Sequence, residues 1–165
     1  MEIAIRDARP DDASVILDFI KELATYEKAA DQVVATVDSI KSGLFGDGAH
    51  IHARLCEVDG QPAGFALYFF SFSTWQGRKG LYLEDLYVTP RFRGSGAGKR
   101  LLHDLARIAV NTGCGRFEWS VLDWNEPAIR FYESVGAKPQ SEWVRYRLTG
   151  DALQAFADDR EVKTD

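Results

Sequence analysis

Residues 83–102 read LEDLYVTPRFRGSGAGKRLL and combine three patterns in succession. The run from Leu83 to Val88 is typical of a strand, and Pro90 ends it because proline cannot continue a central ladder. Apolar residues recur at helical spacing from Leu101 onward. Between strand and helix, every second residue from 94 to 98 is a glycine, and basic residues flank the glycines on both sides. The segment predicts a strand, a basic glycine-rich loop and a helix.

The glycine-rich loop has the chemistry of an anion site. Glycine is unfavourable at a helix entrance unless the backbone bends unusually or another group approaches closely. The first turn of the following helix offers unpaired N–H groups and the positive end of the helix dipole. The sequence therefore predicts a phosphate or pyrophosphate site at this loop. A glycine-rich turn with solvated arginines remains the alternative.

Two common phosphate loops do not match. A Walker A loop would place its first glycine at Arg93 and its hydroxyl residue at Arg100. A Rossmann loop would place its third glycine at Lys99 or Leu101. The pattern that remains is Arg93-x-x-Gly96-x-Gly98.

Composition bounds the class of protein. The chain has 165 residues, of which 45% are hydrophobic, and 20 basic against 25 acidic residues give a net charge of −5. These values predict one globular domain over residues 1–157 followed by a charged tail over 158–165. The acidic balance argues mildly against nucleic acid as a partner and is compatible with a cationic substrate.

Cysteine and histidine usage gives no sign of a metal. Cys56 and Cys114 lack metal-ligand spacing, and the three histidines form no visible ligand set or triad. We expect reduced cysteines, no metal and no membrane partner, because no apolar run is long enough to span a bilayer. The N-terminus lacks a signal-peptide core, so we expect a cytoplasmic protein.

The remaining elements follow from periodicity and turn chemistry. Strands are predicted at 2–6, 51–58, 62–72, 117–122 and 143–148, and Asp59-Gly60 is a strong hairpin signal. Helices are predicted from Pro10 to about 27, after Thr36, after the glycine loop, after Asn125 and at 151–157. The loop 75–80 precedes the central strand. This mixed order implies an α/β or α+β sheet with helices on its faces.

With its position after an apolar strand, the phosphate loop resembles the coenzyme A pyrophosphate loop of the GNAT family of N-acetyltransferases. Within that family the spermidine/spermine (diamine) acetyltransferase subgroup is the most similar. Similarity extends from Ile5 to about Leu148. The matching segments are IKELATYE at 20–27, LYLED at 81–85, WNEP at 124–127 and Phe131-Tyr132.

The resemblance implies a single-domain α/β (α+β) GNAT fold, with a mixed, mostly antiparallel sheet that splays centrally and is flanked by helices. It implies acetyl-CoA as co-substrate, with its pantetheine arm between the strand ending at Val88 and the strand ending near Leu122. The residues that would contact it are Leu86, Tyr87, Val88, Arg93, Gly94, Ser95, Gly96, Ala97, Gly98, Lys99, Asn125 and Tyr132.

The resemblance also implies roles for two side chains in acetyl transfer. Tyr132 matches the general acid that protonates the leaving thiolate, and Glu84 matches the base, which acts through water. Such a base is needed because only a neutral amine attacks a thioester, whereas alkyl amines have a pKa of about 10.4. Each residue also has a plain structural reading: Glu84 as a charge at a sheet edge and Tyr132 as a core residue.

The subgroup's substrate site is matched at Tyr26, Glu27, Trp75, Glu84 and Asp85. An anionic slot with aromatic walls suits a long cation. Where the subgroup has an acidic residue before a proline and the tryptophan, this chain has Ser73-Thr74-Trp75, which removes one negative charge. We therefore expect a small aliphatic amine: a polyamine, a diamine or a lysine-like amino acid.

Two other functions stay open on the sequence. One is acetylation of a protein or peptide amine on the same fold, and the other is a sensor that binds acetyl-CoA without catalysis. The resemblance also implies a homodimer, in which the apolar-rich segment 143–148 would pair across the interface.

Overall fold

A five-stranded sheet organises the residues up to Leu122 in the computed structural model, which describes residues 1–160. The strands are β1 Ile3–Asp7, β2 Ile51–Val58, β3 Gln61–Ser73, β4 Arg78–Val88 and β5 Phe117–Trp119. They lie side by side in chain order. The first four are antiparallel, and β5 is parallel to β4. The predicted mixed, mostly antiparallel α/β fold is confirmed.

The hairpin between β2 and β3 has the predicted two-residue turn. Asp59 and Gly60 both have positive φ, 50° and 78°, as a type I′ turn requires. Val58 pairs directly with Gln61. Local turn chemistry therefore fixes the register of this hairpin.

Helices cover both faces of the sheet. The helices before β2 are α1 Ala13–Tyr26 and α2 Val37–Phe45, and α3 Ala97–Asn111 follows the glycine loop. On one face, Phe19 of α1 packs with Leu55 and Phe65 in a buried cluster. On the other face, Arg54 of β2 bonds Asp104 of α3. The alternation of side chains along β2 thus separates the two helical layers.

Several helix ends are as predicted. Thr36 caps α2 by accepting a hydrogen bond from the Ser39 amide. After α3, Gly113 has φ 80°, and the Cys114 amide donates to the Ala109 carbonyl. That geometry is a Schellman motif, which glycine favours because it has no Cβ.

The residues from Asp123 onward form a separate compact unit. It contains α4 Glu126–Ser134 and α5 Gly150–Ala157. Asn125 is at the N-cap position of α4, as predicted, although its side chain makes no capping hydrogen bond to the helix. Gly136, with φ 94°, ends α4, and the Ala137 amide donates to the Tyr132 carbonyl.

Two predicted strand assignments and one predicted loop assignment are wrong. Residues 143–148 are not a strand in the described chain, because a strand needs a partner and Trp143, Val144 and Tyr146 are instead 68%, 76% and 92% exposed. Residues 120–122 lie outside β5. The last pair between β4 and β5 is Leu83 with Trp119, and β4 becomes irregular directly after Leu83. Residues 78–80, predicted as loop, belong to β4 because they pair with 71–73 of β3.

The single domain over 1–157 stays a prediction. Most of the predicted tail over 158–165 lies outside the described residues. Among residues 1–160, no helix combines the length and apolarity that crossing a bilayer requires.

Candidate active site

A bulge at Glu84 divides β4 into two parts with different partners. Leu83 pairs with Tyr68 and Asp85 pairs with Leu67, so Glu84 is the extra residue. The parallel pairing with β5 stops at Leu83. From Glu84 to Val88, β4 has β3 on one side and no strand of the described chain on the other. The sheet therefore splays where the predicted site lies.

The bulge also reverses the direction of the backbone amides. Before it, the Leu81 amide donates to the Arg116 carbonyl on the β5 side, at 3.0 Å. After it, the Thr89 amide donates to the Ala63 carbonyl on the β3 side, at 2.9 Å. Because alternate residues of a strand point to opposite edges, the N–H groups of Leu86 and Val88 point to the open edge. The resemblance to the GNAT family implied that these two residues contact the pantetheine arm.

The glycine loop presents a second set of backbone donors beside this edge. Gly94 and Gly96 have φ of 79° and 91°, a conformation that glycine adopts without strain. Ser95 stabilises the turn, since its Oγ donates to the Phe92 carbonyl at 2.6 Å and accepts from the Ala97 amide at 3.3 Å. Within the loop and the first turn of α3, the amides of Gly94, Gly96, Gly98 and Lys99 have no acceptor among residues 1–160.

The loop lies close to the open edge of β4. A Cβ added at Gly98 would be 3.7 Å from Cγ2 of Val88, with no other contact inside 4 Å. The space over the first turn of α3 is therefore open. Unpaired amides at a helix N-terminus fit a pyrophosphate, and the strand edge leading to them fits an amide-containing chain. The residues thus fit coenzyme A.

Arg93 connects the glycine loop with α1. Its Nε donates to the Val88 carbonyl at 3.1 Å. Its guanidinium carbon lies 5.3 Å from the ring centroid of Tyr26 and 5.6 Å from that of Tyr87. The sequence placed Arg93 in the phosphate loop but missed these two ring contacts, because no local pattern reports a contact between distant segments.

The three carboxylates of the predicted substrate site form an acidic cluster, which consists of Glu27, Glu84 and Asp85. Burial, then the charges of Glu84 and Glu27, raise the pKa of Asp85 to about 6. Burial also raises the pKa of Glu27. Glu84 is exposed. The cluster concentrates negative charge beside the bulge, where it would attract a cation.

Trp75 lies apart from this cluster. It is 89% exposed in the connection between β3 and β4. The distance along β4 from its first residue, Arg78, to Glu84 is roughly 20 Å at the usual rise of a strand. The substrate role of Trp75 stays a prediction, and the structure does not place this ring beside the carboxylates.

The predicted general acid lies on α4. Tyr132 is half-buried, and its ring centroid is 5.7 Å from that of Phe131. The catalytic roles of Tyr132 and Glu84, and the cofactor contact of Asn125, remain predictions. No cluster of metal-ligating side chains occurs in the part of the chain that the structure describes.

Comparison with known proteins identifies the family. Residues 17–137 match the Acetyltransferase (GNAT) family. The chain is 37% identical over 166 residues to thialysine N-epsilon-acetyltransferase of Sus scrofa, covering 94% of this chain and 97% of that protein. It is 36% identical to human spermidine/spermine N(1)-acetyltransferase-like protein 1, covering 93% of this chain and 23% of that protein.

A solved structure shows the same fold. The integron cassette protein VCH_CASS6 from V. cholerae superposes with a TM-score of 0.79 at 27% identity, covering 95% of this chain and 98% of that one. The resemblance to the spermidine/spermine subgroup is confirmed by the relatives above. The chain belongs to the GNAT family of acetyltransferases and is an N-acetyltransferase.

Proposed function

We propose that this enzyme transfers an acetyl group from acetyl-CoA to the primary amine of a small aliphatic amine. The acceptor is a polyamine, a diamine or a lysine-like amino acid. The observation that carries this proposal is the open edge of β4, which runs from the acidic cluster at Glu84 to the unpaired amides of the glycine loop.

Acetyl-CoA supplies an activated acetyl thioester when it is bound. The amides of Gly94, Gly96, Gly98 and Lys99 would hold its pyrophosphate, and the N–H groups of Leu86 and Val88 would pair with its pantetheine arm. None of these donors has a backbone acceptor among residues 1–160. They are therefore fixed before binding, which reduces the ordering cost of association.

Glu84 acts as the base, through a water molecule. Its exposed position at the bulge lets it meet solvent and an incoming ammonium group. A neutral amine then attacks the thioester directly. Tyr132 protonates the leaving thiolate, since a phenol has a proton to donate at neutral pH.

The acidic cluster selects the acceptor. Glu27, Glu84 and Asp85 attract an ammonium group, and Tyr26 at the end of α1 offers an aromatic wall. The replacement of an acidic residue by Ser73-Thr74 before Trp75 favours a shorter or less charged amine. A relative named for thialysine, a lysine analogue, agrees with that preference.

We propose further that the enzyme is a cytoplasmic homodimer that uses no metal. The exposed aromatic and aliphatic side chains of 143–148 support an interface between two copies. Both cysteines are free thiols, which suits a reducing compartment.

An acceptor panel tests the proposal. Thiol release from acetyl-CoA is measured with spermidine, putrescine, ornithine, lysine, thialysine and short peptides, and each acetylated product is identified by mass. We expect turnover with at least one small primary amine and none with a tertiary amine. If the enzyme acetylates peptides but none of the small amines, its substrate is a protein or peptide. Tight acetyl-CoA binding without any product would indicate a sensor.

A further inference from the structure

A groove of about 400 Å³ lies between the edge strand β1 and helix α3. Residues 3–5 line it on the strand side, and Arg100, His103, Asp104 and Arg107 line it on the helix side. None of these residues has a role in the acetyl transfer described above. The groove is therefore a separate feature of the surface.

The backbone of β1 has an open edge along this groove. The Glu2 carbonyl accepts from the Asp59 amide at 2.8 Å, and the Ala8 amide donates to the Ala53 carbonyl at 3.0 Å. Both bonds point toward β2. Alternation then directs the N–H and C=O groups of Ile3 and Ile5 outward, where β1 has no neighbouring strand in the described chain. An open edge of this kind accepts a further strand.

The helix side of the groove carries positive charge without a partner. Asp104 is paired with Arg54 at 2.8 Å, and Arg54 also contacts Asp7. No carboxylate within residues 1–160 forms an ion pair with Arg100 or Arg107. Both side chains are exposed, and their positions on α3 differ by about 10 Å along the axis. This contrasts with the net charge of −5 for the whole chain.

We propose that this groove binds an extended acidic peptide segment of a partner protein, which adds to the sheet as a strand beside β1. The peptide backbone pairs with Ile3 and Ile5, and a central apolar side chain covers the half-buried faces of these residues. Carboxylates on either side of it reach Arg100 and Arg107. A small anion would contact only the two arginines, and a neutral peptide strand would pair only with the open edge of β1. An acidic peptide strand uses both features.

The first experiment follows the protein's amides by NMR during titration with acetyl-Thr-Glu-Thr-Val-Thr-Glu-Thr-amide. We expect the largest shifts at Ile3 and Ile5. Two control peptides carry lysines in place of the glutamates, or N-methyl groups on the three central amides. Each control should bind at least about tenfold more weakly, a loss of roughly 1.4 kcal/mol. Equal binding of either control would overturn the proposal.

The second experiment uses charge reversal on the protein. The double variant Arg100→Glu with Arg107→Glu should lose peptide binding by at least about tenfold, whereas Lys41→Glu should not. Lys41 is the matched control because it is exposed on α2, across the sheet from α3. Circular dichroism confirms that each variant is folded.

Three outcomes would contradict the peptide partner. If the double variant binds the peptide as well as the unchanged protein does, Arg100 and Arg107 do not contribute to peptide binding. Displacement of the peptide by CoA would assign the peptide to the acetyl-transfer site. Self-association of the protein that disappears in the double variant, measured by sedimentation, would assign the groove to a second copy of this chain.

Discussion

Arg93 donates a 3.1 Å hydrogen bond from Nε to the carbonyl oxygen of Val88, at the end of the open strand edge. The same guanidinium lies against the rings of Tyr26 and Tyr87. One side chain thus joins the glycine loop, β4 and the end of α1. Arg93 therefore connects the loop that would hold the pyrophosphate with Tyr26, which would line the amine site.

Replacing Arg93 by glutamine should reduce stability, because glutamine keeps a donor for Val88 but loses both ring contacts. We expect the free energy of unfolding in urea to fall by about 1–2 kcal/mol, given 0.5–1 kcal/mol for each contact. Arg91→Gln is the control, since Arg91 is exposed and its guanidinium lies over the ring of its neighbour Phe92. Equal losses in the two variants would show that the two tyrosine contacts contribute no more than the single contact of Arg91 with Phe92.

The glycine loop offers a substitution that separates folding from binding. Gly98→Ala should keep or slightly raise stability, because Gly98 is helical and its Cβ would meet only Val88 at an ordinary distance. The new methyl group would nevertheless enter the space over the amides and weaken acetyl-CoA binding at least about tenfold. If calorimetry shows that the variant binds acetyl-CoA with unchanged affinity, the pyrophosphate must bind elsewhere.

Gly96→Ala should behave differently because Gly96 has φ 91°. A side chain in this left-handed conformation costs about 1–2 kcal/mol. We expect a lower free energy of unfolding as well as weaker acetyl-CoA binding. A stability equal to that of Gly98→Ala would mean that the loop relaxes out of the left-handed conformation.

The buried carboxyl of Asp85 makes stability depend on pH. Folding raises its pKa from 3.8 to about 6, so the folded state binds this proton more tightly. Its stabilising contribution is complete below pH 3.8 and is lost as the pH rises through about 6. The substitution Asp85→Asn removes this titrating group. It should therefore raise the free energy of unfolding more at pH 8 than at pH 4, and the two changes should differ by at most about 3 kcal/mol.

Urea unfolding of both proteins at the two pH values measures this difference. Asp18→Asn is the matched control, because Asp18 is an exposed carboxylate on α1. The stability change of Asp18→Asn at each pH is subtracted from that of Asp85→Asn at the same pH. A remainder that is equal at the two pH values would show that folding does not raise the pKa of Asp85.

Glu84 and Asp85 can be distinguished by kinetics. Glu84→Gln should lower kcat/KM for the amine by about a hundredfold or more, the usual contribution of a general base. The residual activity should rise with pH, because the amine must then lose its proton to solvent. A greater loss in Asp85→Asn than in Glu84→Gln would transfer the base to Asp85.

Tyr132→Phe should lower kcat without changing the dissociation constant of acetyl-CoA. The phenol would act only on the developing thiolate, and general acid catalysis contributes about a hundredfold or more. Turnover kinetics and calorimetry on the same protein measure the two quantities. Matching losses in both would assign Tyr132 to packing or to cofactor binding.

Local patterns predicted much of this molecule correctly. The hairpin at Asp59-Gly60, the cap at Thr36 and the helix ends at Gly113 and Gly136 each depend on a few adjacent residues. Their chemistry is visible in the sequence because glycine and hydroxyl residues are required there. The strand and glycine loop at 83–98 follow the same rule.

Features that depend on distant partners were not predictable in this way. The pattern at 143–148 fits a strand, but strand formation needs a partner that the described chain does not supply. The bulge at Glu84 arises from the register between β3 and β4, and the contact of Arg93 with Tyr26 joins separate elements. Periodicity within one segment contains none of this information.

The bulge sets the phase of the open edge. If Glu84 were kept but paired regularly with Leu67, every residue from Asp85 to Val88 would pair one position farther along β3. The edge would then offer Tyr87 in place of Leu86 and Val88, and every side chain beyond Leu83 would exchange faces. Deleting Glu84 would instead keep both neighbouring pairs and the same outward amides, so one unpaired residue decides which amides the coenzyme meets.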